Sequence, residues 1–428
     1  MKKLLASFVV LCMLLPLVLG AAGALAAEKV TIRFATQTLD AKGSVLADIL
    51  AQFAADYPNV TIELEESPGN DLITKINTDI MGDNTPDVFT FWRPEAKWSV
   101  DKYIAKGALA DLTELVGTDP FFEGLFPDFA WRTATVDGKV YCIPRLSFYV
   151  EFLVNKKVFE QYSIPLPTDW ASLVNACQQL KANGIIPWCV DTKEGLDDSS
   201  RLFNAIINRT VGNETGLELL RGNASFQQPE VIKALEYFAQ VAPGCMPEDA
   251  SVLDFNQVVT KYMNTGTAGM LLANASQVDR NLTPEIMQDL LALDFPLTPE
   301  TVLEKPSTEQ DLTNLVYVSA AAYNDPAKKE YVVELVKRLV SREAAKRYVE
   351  DERGMVPHLG LEIDQSKVSD MQRSAAALAE AAPGDKWLLS FAKPGPVDNF
   401  RILINEFWNG VYTPEAFAKA LDEALYQQ

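Results

Sequence analysis

The sequence of 428 residues contains a single histidine, His358, and this scarcity excludes several kinds of catalytic site. A metal centre built from several histidines cannot form, and a serine–histidine triad has only one candidate base. The chain also lacks a G-x-S-x-G elbow, a phosphate-binding P-loop and an H-E-x-x-H helix. Its acidic residues form no recognisable glycosidase pair. We therefore predict that the protein is not an enzyme and uses no metal or cofactor.

Positive charge is also in short supply. The chain has 38 lysines and arginines against 58 aspartates and glutamates, which leaves a net charge of -20. Proteins that bind nucleic acid or anionic membrane surfaces present basic patches to those partners. The acidic balance therefore argues against both kinds of partner.

Cysteine is rare, and the four residues outside the N-terminal segment are Cys142, Cys177, Cys189 and Cys245. No C-x-x-C pair occurs, so a zinc site is not indicated. The four thiols are expected to be either disulfide-bonded or free and buried. Four cysteines allow three complete pairings, and the spacing does not choose among them.

Long hydrophobic runs are absent except at the N-terminus. Lys2 and Lys3 precede an apolar run over residues 4–19, and an A-x-A cleavage motif ends at Ala26. The run is shorter than the roughly 20 residues that a bilayer span needs. Cys12 lies inside the run with no small-residue box before it, which argues against a lipid anchor. Residues 1–26 are therefore predicted to be a signal peptide cleaved near Ala26, which makes the mature protein extracytoplasmic.

Strand and helix patterns alternate at short spacing after this segment. Residues 30–34, 60–64 and 87–91 alternate or run apolar as strands do, with helical periodicity over 45–57 and after Asn70-Asp71. This order is typical of a mostly parallel α/β sheet. Further strands are predicted at 140–143, 150–154, 185–190, 268–272 and 315–322. Further helices are predicted at 170–182, 229–241, 254–263, 326–340, 367–381, 400–408 and 414–426.

Five sequence phrases, in this order, resemble the family 1 extracellular solute-binding proteins of bacterial ABC importers, the group that includes the maltose-binding protein. The phrases are FAADYPNV with NDLITKINTDIMGDNTPDV, GALADLTEL, DGKVYCIP running on to GIIPW, YMNTGTAGMLLANAS and GVYTPEAFAKALDEAL. Together they span nearly the whole mature chain. Their order behind a secretion signal is more specific than any single phrase.

The resemblance implies a periplasmic-binding-protein-like fold with two α/β lobes, a multi-strand hinge and a ligand cleft between the lobes. It places lobe 1 at residues 27–143 plus about 312–340, and lobe 2 at 144–311 plus about 341–428. The chain is expected to cross first near the G-K-V-Y-C-I-P stretch and to return near 311–314 and 340–342. The implied function is to bind a mono- or oligosaccharide by hinge closure and to deliver it, as a monomer, to the permease subunits. A non-sugar polar solute and a ligand-presenting role for a sensor kinase remain alternatives.

Candidate ligand-binding residues follow the predicted strand ends. Sugar hydroxyls need amide or charged partners, and the apolar face of a sugar needs a flat aromatic ring. The candidates are Gln37, Asn70, Asp71, Trp92, Arg93, Arg145, Trp188, Asp191, Asn274 and Gln277, with Arg353 and Trp387 in later loops that relatives often bring to the cleft.

Several of these residues have a structural alternative. Asn70 or Asp71 could cap a helix, Trp92 or Trp188 could pack in a core, and Arg145 could pair with a surface carboxylate. The other tryptophans after the N-terminal segment, Trp98, Trp131, Trp170 and Trp408, are predicted to pack.

Two aromatic platforms that many relatives carry are missing from the sequence. Relatives often place Gly-x-Trp after the strand that matches 268–272, where this chain has Leu272 to Ser276 without an aromatic. They also often carry an aromatic after the strand that matches 185–190, where this chain has Asp197 to Arg201. Both departures favour a ligand that is smaller or more polar than the usual oligosaccharide.

Overall fold

The computed structural model describes residues 28–37, 44–67, 69–91, 100–193, 197–274, 277–278, 281–304, 308–381, 384–385 and 396–426. The strands are β1 (Val30–Gln37), β2 (Val60–Ser67), β3 (Val88–Phe91), β4 (Thr135–Val136), β5 (Lys139–Val140), β6 (Ile143–Asn155), β7 (Ile186–Trp188), β8 (Ala268–Asn274), β9 (Leu290–Leu293), β10 (Thr308–Val318) and β11 (Gly384–Asp385).

Helices connect the strands and build the outer layers. They are α1 (Val45–Asp56), α2 (Gly69–Met81), α3 (Val100–Ala105), α4 (Thr113–Thr118), α5 (Asp128–Ala134), α6 (Lys156–Gln161), α7 (Trp170–Ala182), α8 (Asp197–Val211), α9 (Asn213–Arg221), α10 (Pro229–Val241), α11 (Phe255–Val258), α12 (Pro284–Asp289), α13 (Ala320–Asn324), α14 (Lys329–Leu339), α15 (Arg342–Glu350), α16 (Asp370–Ala381), α17 (Pro396–Trp408) and α18 (Pro414–Tyr426). No helix in these described ranges is long and apolar enough to cross a membrane.

Local sequence signals account for many of these boundaries. Helix α7 begins at a reciprocal cap, in which the Asp169 carboxylate accepts from the Ser172 N–H and the Ser172 hydroxyl accepts from the Asp169 N–H. Helix α1 begins after Ser44, whose hydroxyl accepts from the Ala47 N–H, and it buries an apolar face that includes Phe53. The predicted helices at 170–182, 229–241 and 414–426 are confirmed at both ends.

The main sheet has the strand order β2-β1-β3-β10-β6-β8-β7. Strand β1 is parallel to β2 and β3, and β8 is parallel to β7, whereas β10 runs antiparallel to both β3 and β6. Separate strands were predicted at 140–143 and 150–154, but β6 is one continuous strand of 13 residues from Ile143 to Asn155. Its beginning pairs with the end of β10 beside β3, and its end pairs with β8 and β9. Strands β6 and β10 therefore pair with each other at the centre of the sheet and connect its two halves.

Buried apolar side chains form separate clusters at the two ends of these long strands. The first core draws on residues 30–143 and 312–340. The second core draws on residues 150–295 and 400–425. A third cluster covers the opposite face of the second half of the sheet, because Leu153 points away from Phe152 and Val154. The register of β10 against β6 shifts between Leu312 and Leu315, two residues of the first core.

The segment after α14 packs against the first core rather than the second. Ala344 and Tyr348 of α15 contact Val45, and Arg347 forms an ion pair with Asp48 at 2.6 Å. Further along, the His358 ring lies edge-on to Phe126, with ring centroids 4.6 Å apart. These contacts place α15 and His358 beside the first core, although 341–428 was predicted as part of lobe 2, whereas residues 400–425 belong to the second core. The lobe boundaries stay a prediction.

Tryptophans predicted to pack do so wherever they are described. The indole N–H of Trp170 donates to Gln240 at 2.9 Å, and that of Trp408 donates to the Ser199 carbonyl at 2.8 Å. Trp131 packs edge-on against Phe126. Trp98 lies outside the described residues.

Candidate ligand cleft

The carboxyl ends of the first three strands meet at one edge of the sheet. Gln37 pairs with Ser67, and the hydroxyls of Thr36 and Thr90 lie 2.7 Å apart in a hydrogen bond. Gln37 was predicted to follow strand one, and it is the last, half-buried residue of β1; its ligand contact stays a prediction. Trp92 and Arg93 follow this edge directly in sequence but lie outside the described residues, as does Trp387. Their ligand contacts stay predictions.

Asn70 and Asp71 are not the N-cap of their helix, because α2 already begins at Gly69. Asp71 is exposed in the first turn, where a negative charge interacts favourably with the helix dipole. A helix-stabilising role therefore accounts for Asp71 without a ligand. The contact predicted for it stays open.

Arg145 lies in the middle of the molecule and is only 6% exposed. Its Nη1 donates to Asn314 Oδ1 at 3.0 Å, and its Nε and Nη2 donate to the Tyr348 hydroxyl at 3.2 and 2.9 Å. The alternative of pairing with a surface carboxylate is wrong, since both partners are neutral and the site is buried. The guanidinium joins β6, β10 and α15, so we assign it a positioning role where the two cores meet.

Two buried carboxylates, two positions apart in sequence, lie on one face of β10. Glu309 accepts from the Asn204 amide at 2.6 Å, and Asp311 accepts from the Leu312 N–H at 2.8 Å and from the Thr133 hydroxyl at 3.4 Å. Asn204 belongs to α8 and Thr133 to α5, so helices from both halves reach this face. The sequence interpretation missed these acids because 308–314 was not predicted as a strand, although Glu309 and Asp311 alternate as strand residues do.

Tyr149 lies one residue from the pairing of β6 with β8, on the strand face opposite Phe148. Burial raises the pKa of Tyr149, and a hydrogen bond with Ser147 acts in the opposite direction. The phenol therefore stays neutral at physiological pH and can donate a hydrogen bond. The backbone N–H of Ser147 also donates a hydrogen bond to the carbonyl of Met355, in a later segment of the chain, at 3.0 Å.

In the second half, the structure brings together two predicted residues and one that was missed. Asn274 ends β8, pairs with Val150, and its Oδ1 accepts from the Gln277 N–H at 2.9 Å. Arg201 donates from Nη1 to the Leu272 carbonyl and from Nη2 to Gln277 Oε1, each at 3.0 Å. The sequence feature that could have indicated Arg201 as a site residue is its position in the stretch where relatives often carry an aromatic. An amide and guanidinium cluster stands at this strand end.

Trp188 is a core residue rather than a cleft residue. It is 2% exposed, its indole N–H donates to the Val241 carbonyl at 2.9 Å, and its ring packs against Phe152 and Phe295. This placement contradicts the predicted ligand contact, because the ring and its only polar atom are both occupied.

The last two predicted residues are placed without evidence of a ligand contact. Asp191 is buried beyond the end of β7, next to Thr192, whose N–H donates to the Ala250 carbonyl. Arg353 is exposed after α15, with a positive φ of 55°. Across the part of the chain that the structure describes, no group of three or more His, Cys, Asp or Glu residues is placed to hold a metal ion.

Comparison with known proteins assigns the family. The family model of the bacterial extracellular solute-binding proteins matches residues 36–346, and the chain belongs to this family. The chain is similar to an uncharacterized ABC transporter extracellular-binding protein of Pyrococcus horikoshii, at 23% identity over 212 residues that cover 49% of this chain and 48% of that protein. It spans about half the length of the curated relatives it matches.

Solved structures confirm the predicted fold class. One, from a study of xylan utilization by the thermophilic bacterium Caldanaerobius polysaccharolyticus, has a TM-score of 0.78 at 21% identity and covers 92% of this chain and 99% of its own. A chitin oligosaccharide binding protein has a TM-score of 0.76 at 20% identity and covers 92% of this chain and 98% of its own. The fold is that of the periplasmic-binding-protein-like solute receptors.

Proposed function

We propose that the protein is the solute-binding component of an ABC importer and that it binds a carbohydrate between its two halves. The observation that carries this proposal is the position of the polar groups. Gln37 ends a strand of the first half, and Asn274, Gln277 and Arg201 surround a strand end of the second half. Amide, guanidinium and carboxylate groups of this kind bond well to sugar hydroxyls. The xylan-related and chitin oligosaccharide relatives support the same ligand class.

Hinge closure is the mechanism we propose for binding. The two cores correspond to two lobes, with residues 342–359 added to lobe 1 because α15 and His358 contact its core. Strands β6 and β10 are the hinge, and the register shift between Leu312 and Leu315 is the place where they bend. A ligand that contacts both lobes binds the closed state better and so shifts the population toward it.

Several further properties belong to the same proposal. Residues 1–26 act as a signal peptide, the mature protein works outside the cytoplasm, and it is a monomer that docks on the permease subunits. It has no catalytic activity, which agrees with the binding proteins of Pyrococcus horikoshii and of chitin oligosaccharide among its relatives.

Calorimetric titration against a panel of monosaccharides, oligosaccharides, polyols and amino acids tests the ligand class. We expect saturable heat with at least one carbohydrate. For that ligand, Gln277→Ala and Trp92→Ala should each weaken binding at least about tenfold, because each removes a contact worth roughly 1.4 kcal/mol or more. Gln52→Ala, an exposed position on α1, is the matched control and should leave affinity unchanged. Binding to amino acids with none to any carbohydrate would overturn the sugar assignment.

A smaller polar solute is the second candidate, and one observation favours it. Arg201 and Gln277 occupy the region where many relatives stack an aromatic ring on a sugar. A site with more hydrogen-bonding groups and fewer flat rings selects a ligand with more polar atoms per unit surface. Heat with a polyol or amino acid in the same titration would support it. An adjacent sensor-kinase gene in place of permease genes would favour the ligand-presenting role.

A further inference from the structure

Two of the four cysteines belong to the second core. Cys177 on α7 is 1% exposed, and Cys245 in the turn after α10 is 4% exposed. Lys181, one turn after Cys177 on α7, brings its Nζ to Gly244, the neighbour of Cys245, so this face of α7 lies against that turn. The backbone N–H of Trp188 donates to the Cys245 carbonyl at 2.9 Å and so holds this turn against β7. None of these four cysteines is disulfide-bonded in the structure.

The other two cysteines lie elsewhere. Cys142 belongs to the first core, where its thiol contacts the Ala134 carbonyl at 3.8 Å. Cys189 follows Trp188 and belongs to the third cluster, on the sheet face opposite the second core. Neither shares the cluster that holds Cys177 and Cys245. The pairing that spacing alone left open is therefore restricted to one pair.

We propose that Cys177 and Cys245 are a disulfide-forming pair, a modification site that joins α7 to the turn after α10. The oxidant is a disulfide-bonded thiol compound, represented in the test by oxidised glutathione. The two cysteine thiols give up two protons and two electrons, and one sulfur–sulfur bond forms between them. The oxidant's own sulfur–sulfur bond breaks, and it leaves as two thiols.

The surroundings assign an order to the two exchange steps. The neighbouring Cys177 thiol and the Lys181 ammonium lower the pKa of Cys245, and burial opposes them. That ammonium lies beside Gly244, with Nζ 3.1 Å from the position that a Cβ would take. Cys245 is also the less buried of the two cysteines. Cys245 therefore attacks the oxidant first as the thiolate, and Cys177 then resolves the mixed disulfide.

The inference rests on the proposed export of the protein, since disulfides persist in oxidising compartments. The test does not depend on export or on ligand binding, so its failure is distinct from failure of the proposed function. The full mature chain is refolded once in a mixture of oxidised and reduced glutathione and once in excess dithiothreitol. Intact mass and peptide mapping then report which sulfurs are joined.

We expect the oxidised protein to be about 2 Da lighter and to carry a single 177–245 cross-link. Its Tm should fall by about 5–10 °C on reduction, because the bond closes a long loop. The Cys142→Ser, Cys189→Ser double variant should keep both properties, and Cys177→Ser should lose both. Four free thiols after oxidation, or a cross-link through Cys142 or Cys189, would overturn the proposal.

Discussion

The two cores are built in different ways. The first rests on parallel strands with short helical connections, and its members come from two compact stretches of chain. The second is dominated by helices and by ring contacts between distant segments: Phe238 of α10 stacks on Phe407 of α17, with centroids 5.0 Å apart. The first core also needs one distant segment, since β10 pairs with β3 and Tyr317 stacks on Phe89. The second depends on the last helices returning to residues about 170 positions earlier in the chain, a distance that local patterns do not report.

Among the residues that the structure describes, few elements connect the cores. Strands β6 and β10 pass between them, and Arg145 joins Asn314 and Tyr348 at that level. We therefore expect the two halves to unfold as separate cooperative units. The following predictions test this comparison.

The largest effect is expected from removing a stacked ring in either core. Phe238→Ala should destabilise the second half, and Phe89→Ala, which unstacks Tyr317 at 5.1 Å, should destabilise the first. Each change should cost about 3–5 kcal/mol, since both rings are fully buried. Differential scanning calorimetry should show two transitions, with each variant lowering a different one. An equal shift of one common transition in both variants would mean that the halves are a single unit.

Acid should weaken the first half before the second. Burial lowers the pKa of His358 from its usual 6.5 to about 4, the Arg342 charge adds to this, and the hydrogen bond with Val340 opposes it. Between these values the unfolded chain binds a proton that the folded chain does not. The stability that His358 contributes is therefore present above pH 6.5 and lost as the pH falls to about 4, a change of roughly 3 kcal/mol.

Urea unfolding of the wild type and of His358→Gln over this pH range measures the effect. The glutamine amide can still donate to the Val340 carbonyl but takes up no proton. The wild type should lose stability relative to the variant as the pH falls. A constant difference between the two proteins across the range would contradict the assignment.

The smallest effect is expected at the junction between the cores. Tyr348→Phe removes the oxygen that accepts two N–H groups of Arg145, which leaves them buried without that partner. The cost should be about 1–3 kcal/mol. This change should lower the transition of the first half, and unlike the two ring variants it should also alter the ligand affinity, because the contact holds α15 against β6, one of the two strands that pass between the halves. Tyr331→Phe, whose hydroxyl accepts from Asn59 on the outer side of the first core, is the matched control and should leave affinity unchanged.

Local sequence patterns predicted most of the elements. The helices at 170–182 and 229–241 were located to the residue, because apolar spacing, the Asp169 cap of α7 and Pro229 at the start of α10 act within a single turn. The single long β6 was not predicted, since the polar and aromatic residues 145–149 interrupt the apolar pattern. Those residues are buried by β10 and by the segment around Met355, which are more than 150 positions away in sequence.

The candidate site was predicted only in part, for a related reason. Gln37, Asn274 and Gln277 could be found because strand ends are visible in sequence. Trp188 could not be told from a cleft residue, since its core position depends on contacts with α10 and Phe295. The carboxylates of Glu309 and Asp311 were missed because charged residues rarely suggest a buried strand.

The backbone pairing of Ser147 with Met355 has a mechanical consequence. It adds a third passage of chain beside β6 and β10 at the junction of the two cores. Two bodies joined by one flexible linker would keep most of their freedom to slide and rotate. Three adjacent, hydrogen-bonded passages leave mainly a bend across the strands. The two halves then lose most of their relative orientational entropy when the protein folds, and the ligand does not have to remove it. A small solute with few contacts can therefore hold the halves together.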